Sequence, residues 1–383
     1  MSLPVNFFDV ELRWLKWMVE PAFLVSRIVR RSFLGVLWVG CLTLQSAGSE
    51  AQTIIDMHVH TAGIGAGESG CFVSSSLQNS YKFDFYLRAF GVSESELRSK
   101  GDRIVLQRIS ENVAASKSVQ RAVVLAMDGV IDESGAVDKS RTQIYVPNEF
   151  VNRETKRYPN LLFGASINPY RKDALARLRA AHADGAVLVK WIPAIMDIDP
   201  GDPDITSFYE TLVELNLPLL VHVGQERSFG EAKDEFGDPV RLELPLGIGV
   251  TVIAAHIAST GKNNGEPNFE RLLPLFKRFD NLYTDISSLT QINKLGYLSQ
   301  ALKIPGLSDR MIYGSDWPLQ FFPLVSPWFQ LGRASPRVLW AVSKHKNRWD
   351  RDVALKRALG VPDAVFMRTG ELLNIQSSDA RPN

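Results

Sequence analysis

From Thr53 onward the chain alternates short apolar runs with longer segments of helical period, and this alternation constrains its fold more than any other feature. A run that is apolar on both faces needs cover on both sides, and an intervening helix supplies the crossover that parallel strands require. The runs fall at 54–59, 122–126, 161–167, 186–191, 218–223, 250–255, 282–286 and 310–313. Eight of them predict an α/β fold, a closed (β/α)8 barrel of the TIM type, over residues 53–376.

The clearest intervening helix lies between the fourth and fifth runs. Asp204 is placed to cap it, Ile205, Phe208, Leu212 and Leu215 recur on one face, and Asn216 ahead of Pro218 ends it. Two connections are long. The first, 61–118, opens with Gly63-Ile64-Gly65-Ala66-Gly67, and the fifth spans 225–249. Both leave carboxyl ends of predicted strands, so both are expected to be loops over the active face. Residues after about 335 read as helices, and 377–383 as a polar tail.

Composition narrows the class of partner. Among 383 residues, 43 Lys and Arg stand against 42 Asp and Glu, a balance that offers no field for nucleic acid and favours a small-molecule substrate. Only Cys41 and Cys71 are present, so no disulfide framework is expected and Cys71 reads as a free thiol. At the N-terminus, Arg30-Arg31 precedes an apolar stretch, 33–44, and then small residues up to Ala51. That order, in residues 1–51, is the layout of a twin-arginine-like export signal, with cleavage after Gly48 or Ala51. Met18 as the true start would give a signal of ordinary length. Retention as a membrane anchor and an amphipathic helix packed on the domain are the competing readings, and with them membrane-anchored or cytoplasmic location in place of export to the periplasm. A homo-oligomer is left open.

Candidate ligands share one position in their units, directly after an apolar run. His58 and His60, two residues apart on a strand, point to the same side. His222 ends the fifth run, His256 follows the sixth, Asp285 lies at the end of the seventh, and Asp316 follows the eighth in Gly314-Ser315-Asp316-Trp317-Pro318. In a barrel these ends converge on one rim. Imidazoles with a carboxylate suit a divalent transition ion, zinc above all. His182 and His345 fall on helical segments and read as structural or solvated. Taken singly, His222 or His256 is as well explained as a satisfied core histidine; together the strand-end histidines argue for a site.

This set resembles the amidohydrolase superfamily, and the Gly-Ser-Asp-Trp-Pro ending is similar to its amidohydrolase-related branch, which includes hydrolases and decarboxylases. The resemblance runs from Thr53 to about Leu319. It implies that His58, His60, His222 and Asp316 bind metal, and that His256 is a catalytic or substrate-polarising residue or a ligand of a second ion. Lys190, at the end of the fourth run, is carbamylated and bridges two ions in some relatives. It reads equally as a substrate contact or a partner of Asp128, and one ion with Lys190 contacting substrate is the preferred reading. Asp285 is expected either to hold a histidine tautomer from behind or to cap the following helix. Glu68, Glu226 and Arg227 are rim residues within reach of a substrate.

The expected chemistry is hydrolysis of an amide, ester or lactone of a small molecule: a metal-activated water attacks the carbonyl, Asp316 takes its proton and His256 steadies the developing charge. Decarboxylation of a small carboxylate at the same ligands is the alternative, and a non-catalytic metal-binding or sensing protein the third reading.

Overall fold

The computed structural model describes residues 53–375. The export-signal or anchor reading of 1–51 and the tail at 377–383 lie outside the described residues. Among the described residues no helix is long and apolar enough to cross a membrane.

The eight predicted runs are eight strands: β1 (Ile54–His60), β2 (Val119–Leu125), β3 (Leu161–Ala165), β4 (Ala186–Trp191), β5 (Leu219–His222), β6 (Val252–Ala255), β7 (Leu282–Asp285) and β8 (Met311–Ile312). They form one parallel sheet in sequence order. Beyond β8, Val59 bridges Trp317 in parallel, the Asp316 amide donates to the His58 carbonyl at 3.0 Å, and the His60 amide donates to the Trp317 carbonyl at 3.0 Å. These bonds bring the last strand back to the first, so the sheet curls closed.

Two apolar layers follow from the strand period. Ile55, Met57, Val123, Leu125, Leu188, Leu220, Ile253 and Ile312 fill the barrel interior. Val59, Val124, Val189, Val221 and Ala254 face the helices outside. In β1 the strict alternation breaks, with a register shift between Asp56 and Val59. Such irregularities re-aim side chains at barrel rims. Here Met57 stays in the interior layer, and the two following histidines reach the mouth.

Asp56 pins that irregularity. Its Oδ1 accepts from the His58 amide at 3.1 Å and the Ser315 amide at 2.9 Å, and its Oδ2 from Trp349 Nε1 at 2.6 Å. One buried carboxylate thus ties β1 to the Gly-Ser-Asp turn after β8, and burial pushes its pKa up to about 6. We expect Trp349→Phe to cost about 1–3 kcal/mol in urea unfolding, because a buried charged acceptor loses a donor. The lost bond serves the ionised form. The penalty should therefore grow as pH rises above about 6 and vanish below it, where Asp56 is protonated in the folded protein. A penalty that does not change with pH would remove this assignment.

Local expectations change at two places. The helix after β4 begins earlier than expected: a 3-10 turn, Pro203–Ile205, leads into Thr206–Glu214, and Asp202 rather than Asp204 is the cap, accepting from the Asp204 amide at 2.9 Å. Pro203 at the first position sets this start, since proline needs no amide partner there. The first long connection is not a loop. It folds as Ser75–Gln78, α1 (Tyr81–Phe90), Glu94–Lys100 and Arg103–Ala114, with a two-residue ribbon, Phe72–Val73, paired to Ile144–Tyr145. Phe83, Leu87 and Phe90 recur at helical spacing in α1, Gly91 ends it at φ 76°, and Ser93 caps the next helix through the Glu96 amide. Glu243–Ile248 likewise occupies part of 225–249. After β8, Val325 packs with Leu339, Val342 and Leu355, while Phe322 is exposed.

Among the described residues Cys71 is the free cysteine, and it is buried. Burial pushes its thiol pKa up to about 12. Since the thiolate is the nucleophile, iodoacetamide at pH 8 should leave Cys71 unmodified in the folded protein and alkylate it in denaturant. Rapid labelling of the folded chain would contradict this burial.

Candidate active site

The strand ends do converge. His58 and His60 present their Nε2 atoms 3.1 Å apart, and Asp316 Oδ1 lies 3.3 Å from His60 Nε2 and 3.7 Å from His58 Nε2. Donor atoms of the three residues all lie within 4.8 Å of one another. Their approach requires a glycine nearby, because a Cβ on Gly314 would stand 2.9 Å from the Cβ of His58. Asp316 itself holds a left-handed backbone, φ 65°, as do His256, Ile257 and Ala258 at φ 55°, 51° and 50°. Consecutive left-handed residues other than glycine are costly, and such strain is typically retained at functional sites.

Hydrogen bonding orients the histidines. Asp285 Oδ2 accepts from His58 Nδ1 at 2.7 Å, so the proton sits on Nδ1 and the Nε2 lone pair faces His60 and Asp316. Asp285 Oδ1 accepts from the His256 amide at 2.8 Å and from Ser287 Oγ at 2.6 Å. His256 Nδ1 lies 2.7 Å from Ser287 Oγ and 3.2 Å from the Ser287 carbonyl. A carbonyl can only accept, so His256 also carries its proton on Nδ1 and turns the Nε2 lone pair outward. Asp285 is therefore the hub behind two histidines, and its Oδ1 also accepts from the Ser287 amide at 3.1 Å.

His222 is buried, and its Nε2 has no hydrogen-bond partner; the nearest carboxylate oxygen, Glu226 Oε2, is 3.5 Å away. An unpartnered buried ring nitrogen is costly unless something takes its lone pair. The structure thus gathers His58, His60 and Asp316 tightly, while His222 lies to one side, its ring 5.3 Å from that of His256.

Lys190 is buried with its Nζ 3.3 Å from His58 Nε2. It does not pair with Asp128, which makes two bonds of 2.6 Å to Arg171 instead. The planar guanidinium takes both carboxylate oxygens, and that geometry outcompetes a single ammonium. Burial pushes the Lys190 pKa down to about 8, although Asp285 and Asp316 oppose the shift. Burial and Lys190 together push His58 down to about 4. Burial, then Lys294, holds His256 well below the usual imidazole range. Burial opposes ionisation of Asp316 too, but His256, His60 and His58 outweigh it and keep the carboxyl well below the carboxylate norm.

Glu226 and Arg227 line the cavity above this cluster; Glu68 is exposed and does not. His182 and His345 are exposed, as expected for solvated residues. Three residues with a place in the site went unread in the sequence. Ser287 and Ser288 directly follow Asp285, and hydroxyls at a strand end were the available signal. Lys294, buried on the 3-10 turn Ile292–Lys294, lies nine residues beyond Asp285 in a segment without periodicity, and nothing local marks it.

A barrel whose rim gathers imidazoles and carboxylates around one mouth defines a class of enzyme, and comparison agrees. The model of the Amidohydrolase family (Amidohydro_2) matches residues 55–333, so the chain belongs to the amidohydrolase family and is an enzyme of that type. No curated protein matches it. Among solved structures it is similar to an uncharacterised TIM-barrel protein from Bordetella bronchiseptica (17% identity, 80% of this chain, 99% of that one, TM-score 0.50). It is also similar to 5-carboxyvanillate decarboxylase from Sphingomonas paucimobilis (10%, 85% and 100%, 0.42) and dihydroorotase from Campylobacter jejuni (14%, 85% and 84%, 0.40).

Proposed function

We propose that this enzyme is a metal-dependent hydrolase of an amide, ester or lactone in a small molecule. The observation that carries the reading is the convergence of His58 Nε2, His60 Nε2 and Asp316 Oδ1, beside a His222 Nε2 that has no hydrogen-bond partner. This donor set fits a divalent transition ion, zinc foremost, held by His58, His60, His222 and Asp316. When bound there, such an ion supplies Lewis acidity, polarising a carbonyl oxygen and acidifying water.

The protein's own groups divide the remaining work. Asp316, ionised at neutral pH, takes the proton of the attacking water as the new carbon–oxygen bond forms, and returns it to the departing nitrogen or oxygen. His256, neutral with Nε2 free, steadies the water or shares its proton. Lys190 contributes a buried positive charge beside the position where the carbonyl oxygen becomes negative, where low dielectric strengthens its effect. Asp285 holds the His58 tautomer throughout, and Ser287 holds that of His256.

The reading is tested by elemental analysis of the purified protein and of Lys190→Ala, followed by turnover of esters and lactones in ¹⁸O-labelled water. About one equivalent of metal, unchanged in the variant, with solvent oxygen in the product acid, is the expected result. Two equivalents lost together in Lys190→Ala would make Lys190 a bridging ligand. Carbon dioxide released without solvent oxygen incorporation would replace hydrolysis by decarboxylation.

A further inference from the structure

The peptide unit that joins Gly314 to Ser315, just ahead of Asp316, is held at both ends by buried charged side chains. Its carbonyl, on Gly314, accepts from Lys356 Nζ at 2.9 Å, and its amide, on Ser315, donates to Asp56 Oδ1 at 2.9 Å. A trans peptide is planar with these two groups on opposite sides, so the two bonds together fix its orientation. Asp316 follows at once, in a left-handed conformation, φ 65°, that costs energy unless its surroundings hold it.

Both holds trace to one helix, α2 (Arg348–Ala358). Trp349, Asp352 and Lys356 recur at helical spacing on one face of it, and all three are buried. Trp349 Nε1 secures Asp56 at 2.6 Å, while Lys356 reaches the Gly314 carbonyl directly. Asp352 Oδ2 accepts from Lys356 Nζ at 2.7 Å and from the Tyr313 hydroxyl at 3.0 Å, so it neutralises the lysine and aligns it. One helix face therefore grips Tyr313, Gly314 and, through Asp56, Ser315 in succession.

Energetics indicate what the ion pair is for. Lys356 is wholly buried, and a buried ion pair gains little or nothing over apolar residues of the same volume. A methionine could fill the space. It could not donate, and the Gly314 carbonyl would be left unpaired in the interior.

We propose that Lys356 is a positioning residue for Asp316: from the outer helix it locks the Gly314–Ser315 peptide, and so holds the Asp316 carboxylate where the turn presents it to His58 and His60. Its two hydrogen bonds go to Gly314 and Asp352, so it acts on the site only through the turn. The inference rests on the reading that Asp316 carries the proton, while the lock itself stands on the geometry of the turn.

The test compares two variants of the full chain. Lys356→Met/Asp352→Asn leaves neither member of the pair charged; Asp352→Asn alone keeps the lysine, with an acceptor oxygen for it and for Tyr313. The readouts are stability in urea, kcat and KM per bound ion on an ester or lactone that the wild type hydrolyses, and hydrogen exchange of amides 315–319 in the metal-free protein. Asp352→Asn should be the less stable of the two, because it strands a buried ammonium, yet it should keep kcat near wild type and amides 315–319 protected. The double variant should lose about 10–100-fold in kcat with little change in KM, the scale of a displaced catalytic group. Its amides 315–319 should exchange at least about tenfold faster, while those of β3 and β4 stay protected. In the double variant, an undiminished kcat or an unaltered exchange would overturn the inference, and so would losses that simply follow the stability of each variant. Faster exchange at 315–319 in a protein that hydrolyses nothing would leave the lock standing and remove the hydrolase reading. Hydrolysis by the wild type, with kcat and exchange unaffected in the double variant, would do the reverse.

Discussion

Replacing Asp316 with asparagine should lower kcat on any ester or lactone that the enzyme turns over by on the order of 10²–10⁴-fold, the range that a positioned acid/base contributes. The substitution keeps volume and tolerates the left-handed backbone at this position, φ 65°, because asparagine adopts that region readily. The fold should therefore survive, and the loss should be chemical. One amide oxygen remains to face His58 and His60, so metal content should fall less than activity does. The paired measurements are steady-state kinetics and elemental analysis. A variant with full metal and unreduced kcat would show that Asp316 moves no proton.

Asp285→Asn should act by a different route, weakening metal binding by about 10–100-fold, as loss of a carboxylate behind a ligating histidine does elsewhere. The carboxylate is buried and accepts from His58 Nδ1, the His256 amide, the Ser287 amide and Ser287 Oγ. An asparagine must turn an NH2 toward one of these donors, and the displaced donor is then left unpaired in the interior. We expect about 3 kcal/mol of lost stability in urea unfolding of the metal-free protein. Burial opposes ionisation of Asp285, but His58, His256 and Ser287 outweigh it and hold its carboxyl below the ordinary 3.8. A depressed carboxyl contributes its full stability above the unfolded value and loses it only as pH falls below that value. The difference between variant and wild type should therefore be flat from about pH 6 to 8 and shrink under acid conditions. Chelator competition gives the affinity and denaturation at several pH values gives the rest. Unchanged affinity would mean that His58 needs no support from behind.

Much of the site was legible in the chain because strand period and strand ends carry direction. In a closed parallel barrel the residue after each apolar run must lie at the same rim, so His58, His60, His222, His256, Asp285 and Asp316 could be grouped without knowing any distance. The eight runs were readable for the same reason: a strand covered on both faces has to be continuously apolar. Helix capping was less legible, since Asp202 and Asp204 both offer a carboxylate and the proline between them decides which is used.

Tertiary structure alone decided the rest, because each remaining feature joins residues whose separation in the sequence carries no signal. Asp56 reaches Trp349 and Ser315, Lys190 takes its place beside His58 after Arg171 has claimed Asp128, and Lys294 arrives from a segment without periodicity. The apolar wall over the cavity depends on α1 folding back across the mouth and docking on Ser228. Periodicity along the chain determined the barrel and its rim; burial, hydrogen-bond competition and chain crossing in three dimensions determined which charges remain free to meet a substrate.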